Sequence, residues 1–260
     1  MLMHRKFHTN WDIHAELIKL FDAAKETDEF EYCSTFLRLR GMEDAGWDTL
    51  IESNNTINQT LRVIQSPIAD DFRLRLLLFT YCHATEMHDL YNVIGNMLCV
   101  ILGNRYSMNC FLPNLHASKK LAKYPPAKVE RIKEWAISAK LPNIGDMFDE
   151  MLVREVRNAF FHSDYILHER AFHIKRGDGV TIERTMSRKV NLDWLLPRLE
   201  LGINVAFAMI DLTLNSIRSY KANKIVMGRI QGPKPVPIEL IADPEYGLSG
   251  FQSPPQSSLV

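Results

Sequence analysis

Along the chain the apolar positions recur with a helical period, then with a strand period, then with the helical period again. Ile13, Leu17, Ile18, Leu20 and Phe21 fit one face of a helix over Ile13–Ala24. A polar stretch follows, and Trp47, Leu50, Ile51, Ile57, Leu61 and Ile64 mark a second helix over Asp44–Gln65. Ser66-Pro67 interrupts it, because proline lacks an amide donor and restricts the residue before it. One long helix is predicted from Asp70 to about Leu102, with acidic residues at its start and Gly103-Asn104 at its end. Pro125-Pro126 open a short helix through about Ala139, and Asn143 caps another that runs through Gly145–Phe161.

The period then falls to two. Tyr165–His168, Ala171–Lys175 and Val180–Met186 read as strands, with Gly177-Asp178-Gly179 as a hairpin turn. Asp193 caps a last long helix through about Tyr220, with Pro197 in its first turns. Half of the 12 prolines lie in Pro233–Pro255, with Gly and Ser among them, a composition expected of an extended or disordered tail. The predicted fold is mainly α. It has an N-terminal helical extension over 1–66, a helical bundle over 67–225 with a β-hairpin at about 165–186, and a Pro-rich flexible tail over 226–260.

Composition leaves that picture intact: 46% hydrophobic and 24% charged residues are ordinary for a globular chain. Charge refines it. The 31 basic and 31 acidic residues cancel, but they are segregated. Asp12–Asp71 holds 5 basic and 13 acidic residues, His116–Lys140 holds 7 Lys/Arg and 2 Glu, and Arg218–Lys234 holds 5 basic residues and no acid. The neutral total therefore excludes a uniformly basic nucleic-acid coat and leaves local patches open. Lys119, Lys120 and Lys123, with Lys128, Arg131 and Lys133 beyond them, either track an RNA backbone or form a solvated surface. Lys221, Lys224 and Arg229 read as the start of the tail. The acidic Asp12–Asp71 segment is also placed to fold over the basic surface as an internal inhibitor of RNA binding.

Cys33, Cys82, Cys99 and Cys110 form no CxxC pair and sit in apolar surroundings, which suits reduced core thiols. Cys82-His83 with His88 is the best local metal-like cluster, but its histidines are five apart and poorly aligned, so no metal site is expected. The N-terminus lacks an apolar signal region, and Leu90–Gly103 and Val205–Leu214 are too short or interrupted to span a bilayer. A cytoplasmic protein without membrane association is expected.

The candidate chemistry gathers at one helix end, in Arg154-Glu155-Val156-Arg157-Asn158-Ala159-Phe160-Phe161-His162-Ser163-Asp164-Tyr165. Asn158 and His162 are four apart and share a helix face. Arg157 lies roughly 140° around the helix from His162, within reach of a long side chain at a helix end. A guanidinium holds phosphate charge, and a histidine exchanges protons near neutral pH. Those parts suffice for RNA cleavage without a metal or cofactor: histidine takes the 2′-OH proton and arginine holds the charge developing on the phosphate. One histidine serves both attack and departure poorly, whereas two copies across a two-fold axis supply both.

Arg157-Asn158-Ala159-Phe160-Phe161-His162 resembles the R-N-x-x-x-H form of the motif of HEPN superfamily proteins. Its position late on a bundle helix is similar to that family, as is the earlier helix carrying Glu86 and Asp89. The resemblance implies a core of four to five helices over roughly Pro67–Lys221, a homodimer, and metal-independent endoribonuclease activity in a defence or toxin–antitoxin setting. It implies Arg157, Asn158 and His162 as active-site residues, with Glu86 as a weaker addition, and RNA, a second copy and an antitoxin or effector protein as partners. The hairpin and the first 66 residues lie outside the common core.

Plainer readings stand beside these. Arg157 and His162 suit a helix C-terminus by charge alone. Glu86 suits a pair with His83 or a neighbouring arginine, and Asp164 suits a pair with Arg157. A non-catalytic module that binds RNA, nucleotide or protein is the alternative function.

Overall fold

The computed structural model describes residues 12–39, 49–112, 122–230, 232 and 234–254. Lys119, Lys120 and the predicted helix start at Asp44 lie outside them. The chain is mainly helical with small antiparallel sheets. In order run α1 (Ile13–Thr27), α2 (Glu29–Leu39), α3 (Thr49–Gln65), α4 (Asp70–Glu86), α5 (His88–Ile101), α6 (Pro125–Ser138), α7 (Pro142–Met151) and α8 (Arg154–Phe161). Then come β1 (Tyr165–His168), β2 (Ala171–Ile174), β3 (Val180–Ile182), β4 (Thr185–Ser187), β5 (Lys189–Asn191), α9 (Leu192–Arg218), β6 (Lys224–Gly228), β7 (Val236–Asp243) and β8 (Gly247–Gln252).

The stretch after Ala24, read as merely polar, is α2. Its Phe30, Cys33 and Phe36 are spaced by three and buried, a face hidden in the sequence by Glu29 and Glu31. Asp28 serves both neighbours: its N–H donates to Ala24 O at the end of α1, and its Oδ1 accepts from Glu31 N at the start of α2.

The single helix predicted over 70–102 is two, broken at Met87, whose ψ of 117° leaves the helical region. The hydroxyls of Thr80 and Thr85 donate back to carbonyls one turn earlier, a habit that bends helices. Tyr91 Oη donates to Thr85 O, so a carbonyl near the break keeps a partner. The helix predicted through Gly145–Phe161 is likewise broken, at Leu152-Val153. There the buried Tyr81 hydroxyl donates to Met151 O at 2.9 Å and accepts from Val153 N at 2.8 Å, tying the break to α4.

The hairpin expectation is corrected in its connections. β1-β2-β5 form one sheet and β3-β4 another, so Gly177-Asp178-Gly179 joins two sheets instead of turning one hairpin. The tight turns are Glu169-Arg170 and Glu183-Arg184, all four with positive φ. Such two-residue turns match strand twist but usually carry Asn or Gly, so nothing in Glu-Arg signals them. Gly179 is required where it stands, since its φ is +93° and a Cβ would lie 2.4 Å from Ser187 O.

The flexible tail expected from 226 is corrected most. β6-β7-β8 form a three-stranded antiparallel sheet whose Val226, Ile238, Leu240 and Leu248 are buried. Its Phe251 ring meets Phe30 of α2 edge to face at 5.2 Å. The prolines misled because they dominate composition, while Ile238, Leu240 and Ala242 alternate inward. Pro237 is tolerated because β8 ends opposite Glu239, which leaves only β6 beside it. The N-terminal helices and this sheet share one hydrophobic core with α5, α6, α7 and α9. The three segments expected from sequence therefore do not pack as separate units. A second apolar cluster, including Tyr81, Val156, Ala159, Phe172 and Leu199, lies between α4, α8, α9 and the β1-β2-β5 sheet, and it supports the candidate site.

Candidate active site

α8 buries Val156 and Ala159 and presents Arg154, Asn158 and His162 at successive i, i+4 positions. Its end is closed by a Schellman arrangement: Ser163 takes φ +55°, its N–H donates to Phe160 O, and Asp164 N donates to Ala159 O. His162 is the cap residue, its N–H donating to Asn158 O at 3.0 Å, and its side chain is exposed.

Arg157 turns the other way. It is 8% exposed, and its Nη1 lies 2.5 Å from Glu86 Oε1 at the end of α4. That contact is an ion pair off the line of the N–H bonds, and Nε meets no acceptor among the described residues. Nη2 donates to Asn158 Oδ1 at 3.3 Å. Glu86 is the outer partner, with 43% of its side chain exposed against 9% for Arg157. Solvent therefore reaches the guanidinium past a carboxylate. A buried cation needs such a partner, because removing one member of the pair strands the other.

Asn158, His162, Arg154, Glu155, Asp164 and Arg176 line a groove of about 350 Å³ with the Gly177–Gly179 backbone. Arg157 and Glu86 are not among its walls. The structure thus joins Glu86, Arg157 and Asn158 in one chain of contacts and Asn158 and His162 in one groove, with Asn158 common to both. Of the plainer pairings, Glu86 takes an arginine, Arg157. Asp164 does not pair with Arg157; its partner is Arg176, at 3.4 Å. Arg154 and Arg176 were missed in the sequence. The spacing of Arg154 to Asn158 and His162 carried a signal, whereas Arg176 is delivered by the turn after β2 and carried none.

The basic stretches are less free than their counts suggest. Lys123 is exposed and lies over the Tyr124 ring. Lys128 is buried, Arg131 pairs with Glu134, and Lys133 pairs with Asp149 at 3.0 Å. In the second stretch Lys224 and Arg229 bind Glu29 and Asp28 at 2.6 and 3.1 Å. Two residues of the acidic segment, Asp28 and Glu29 at a helix end, thus pair with basic residues at β6.

Burial pushes the Cys82 thiol up to about 12, with Arg157 opposing it and Glu86 adding to it by smaller amounts, so it is inert beside the site. His83 stacks on Phe79 and is lowered by burial. Among the described residues no set of His, Cys, Asp and Glu gathers as metal ligands, and no helix is long and apolar enough to cross a membrane. Compared with family models, curated proteins and solved structures, the chain matches none of them.

Proposed function

We propose that the protein is a metal-independent endoribonuclease of HEPN type that cuts single-stranded RNA as a homodimer. The observation that supports this most is the contact chain Glu86–Arg157–Asn158, which ends in the groove where His162 is exposed. In this reading His162 takes the proton of a ribose 2′-OH, and the 2′-oxygen attacks phosphorus. The 5′-oxygen leaves with a proton from His162 of a second copy. Arg157 exchanges Glu86 for the phosphate and holds the charge developing there, while Asn158 orients the scissile group.

The test is RNA incubated with purified protein in EDTA, comparing wild type, His162→Ala and Arg157→Ala. Cleavage by wild type alone, leaving 2′,3′-cyclic phosphate ends, is the expected result. No cleavage by wild type, or equal cleavage by all three, removes the reading. 3′-Hydroxyl ends point to a different mechanism.

One observation favours the second reading, a non-catalytic module that binds RNA, nucleotide or a protein partner. Arg157 stands behind Glu86 and is nine-tenths covered, as in a structural pair. An inert wild type whose ligand binding is lost in His162→Ala supports that module, and an affinity indifferent to salt rules out RNA as its ligand.

A further inference from the structure

Arg154 opens α8 and lines the same groove as Asn158 and His162. It is exposed, and among the described residues it makes neither an ion pair nor a hydrogen bond. The position is unfavourable for a cation, because the first turn of a helix carries the positive end of the dipole. A local rule broken without a structural partner is expected where a ligand supplies the partner.

Arg154 and His162 are eight residues apart, which is about 12 Å along the helix axis. Helical side chains lean toward the N-terminus, so the guanidinium is carried away from the imidazole. A phosphate attacked beside His162 is therefore out of reach of Arg154. Arg157, behind Glu86, is the arginine next to that phosphate, and Arg154 is placed for a different one on the same strand.

Arg176 stands in the groove as the second cation. Its side chain is 83% exposed, and its Nε lies 3.4 Å from Asp164 Oδ1. An ion pair that open contributes little, and it yields to a phosphate oxygen that accepts two guanidinium hydrogens. Glu155 and Asp178 also line the groove, so its walls are not uniformly basic. Those carboxylates disfavour a compact, multiply charged anion such as a free nucleotide. They leave room for a strand that carries single charges spaced by neutral ribose and base.

We propose that Arg154 is a positioning residue which, with Arg176, holds the backbone of a single-stranded RNA at a phosphate flanking the one that is cut. This rests on the reading that the groove at His162 takes RNA. It adds a seat for the strand that the Arg157–His162 segment does not contain, and it gives Arg154 no part in proton transfer.

The test uses the full chain and a short fluorescein-labelled single-stranded RNA, 2′-O-methylated throughout so that no 2′-OH is free to attack. Anisotropy gives its affinity over a series of KCl concentrations for wild type, Arg154→Gln, Arg154→Lys, Arg176→Gln and, away from the groove, Lys140→Gln. Each groove glutamine variant is expected to bind about tenfold more weakly, the worth of one charge-assisted hydrogen bond. Each should also flatten the slope of log affinity against log salt by about 0.7, the share of one phosphate contact on a single strand. Arg154→Lys should keep the wild-type slope, and Lys140→Gln should match wild type throughout. Thermal unfolding of Arg154→Gln should not move down, since an unpaired cation leaves a helix N-terminus.

No binding by wild type, a slope unchanged in Arg154→Gln, or an equal loss in Lys140→Gln overturns the proposal. So does a lowered melting temperature in Arg154→Gln, which would make the residue structural. Unmodified RNA separates the two readings. If it stays uncut while the slopes change as expected, the nuclease fails and the strand seat stands. If it is cut by wild type and Arg154→Gln alike with equal affinity, the nuclease stands and the seat fails.

Discussion

Arg157 Nη1 lies 2.5 Å from Glu86 Oε1, with the carboxylate toward solvent and the guanidinium behind it. This places a permanent cation under a partly exposed anion at the point where α4 ends and α8 passes. Glu86→Ala leaves the guanidinium buried without its counter-charge. A fully buried pair broken this way costs about 3–5 kcal/mol, and the exposure of Glu86 reduces that to about 1–3 kcal/mol. Arg157→Met, which removes the buried charge itself, should cost less than Glu86→Ala. Urea unfolding of the two variants measures the order, and the reverse order would mean that Arg157 contributes packing more than charge.

Tyr81→Phe removes a hydroxyl that serves both Met151 O and Val153 N at the break between α7 and α8. Each group left buried without a partner costs about 1–3 kcal/mol, so a loss of about 2–5 kcal/mol is expected in chemical denaturation. Because this bond sets where α8 begins, any activity carried by His162 should fall with it. A loss below about 0.5 kcal/mol would show that water replaces the hydroxyl.

Truncation after Asn223 distinguishes a core sheet from a tail. It removes Val226, Ile238, Leu240 and Leu248 from the core and uncovers Phe30. The truncated chain should be insoluble or expose apolar surface to a hydrophobic dye. Within the full chain, Leu240→Ala should cost about 2–5 kcal/mol as a large-to-small core change. Wild-type stability in the truncated chain would restore the flexible tail.

Glu29 links stability to pH. Burial alone would raise its carboxyl, but hydrogen bonds from Lys224 and Tyr220 outweigh burial and leave it below the ordinary carboxylate value of 4.5. A carboxyl lowered in the folded state contributes stability that is present above the unfolded value and is lost as pH falls through the folded one. Unfolding free energy should therefore drop below about pH 4.5, and Lys224→Met should flatten that part of the curve. Parallel curves for the two proteins would remove Glu29 as a source of the acid sensitivity.

Much of the helical fold was legible because amphipathic faces such as Leu17–Phe21 and Val129–Ala136 repeat within one element. The breaks at Met87 and Leu152-Val153 were not, since no proline or glycine marks them. They depend on hydroxyls of Tyr91 and Tyr81 arriving from other turns and other helices. α2 was hidden because its inward face is read only once Phe30 has Phe251 and Gly228 to pack against. At the candidate site, the shared face of Asn158 and His162 followed from their spacing. The inward turn of Arg157 did not, because a residue's side of a helix says nothing about which neighbour waits there.

By itself the sequence determined a mainly α chain, the place of the Arg157–His162 segment at a helix end, and a segregation of charge behind a neutral total. These are properties of period and composition, which act over a few residues. Only the tertiary structure decided that Glu86 covers Arg157, that Arg176 joins His162 in a groove, and that Glu29 and Asp28 meet Lys224 and Arg229. The physical reason is the same in each case: a buried charge or polar group is stable only with a partner. Here that partner comes from a distant part of the chain, brought near by the packing of α2 on β6 and of α8 on α4.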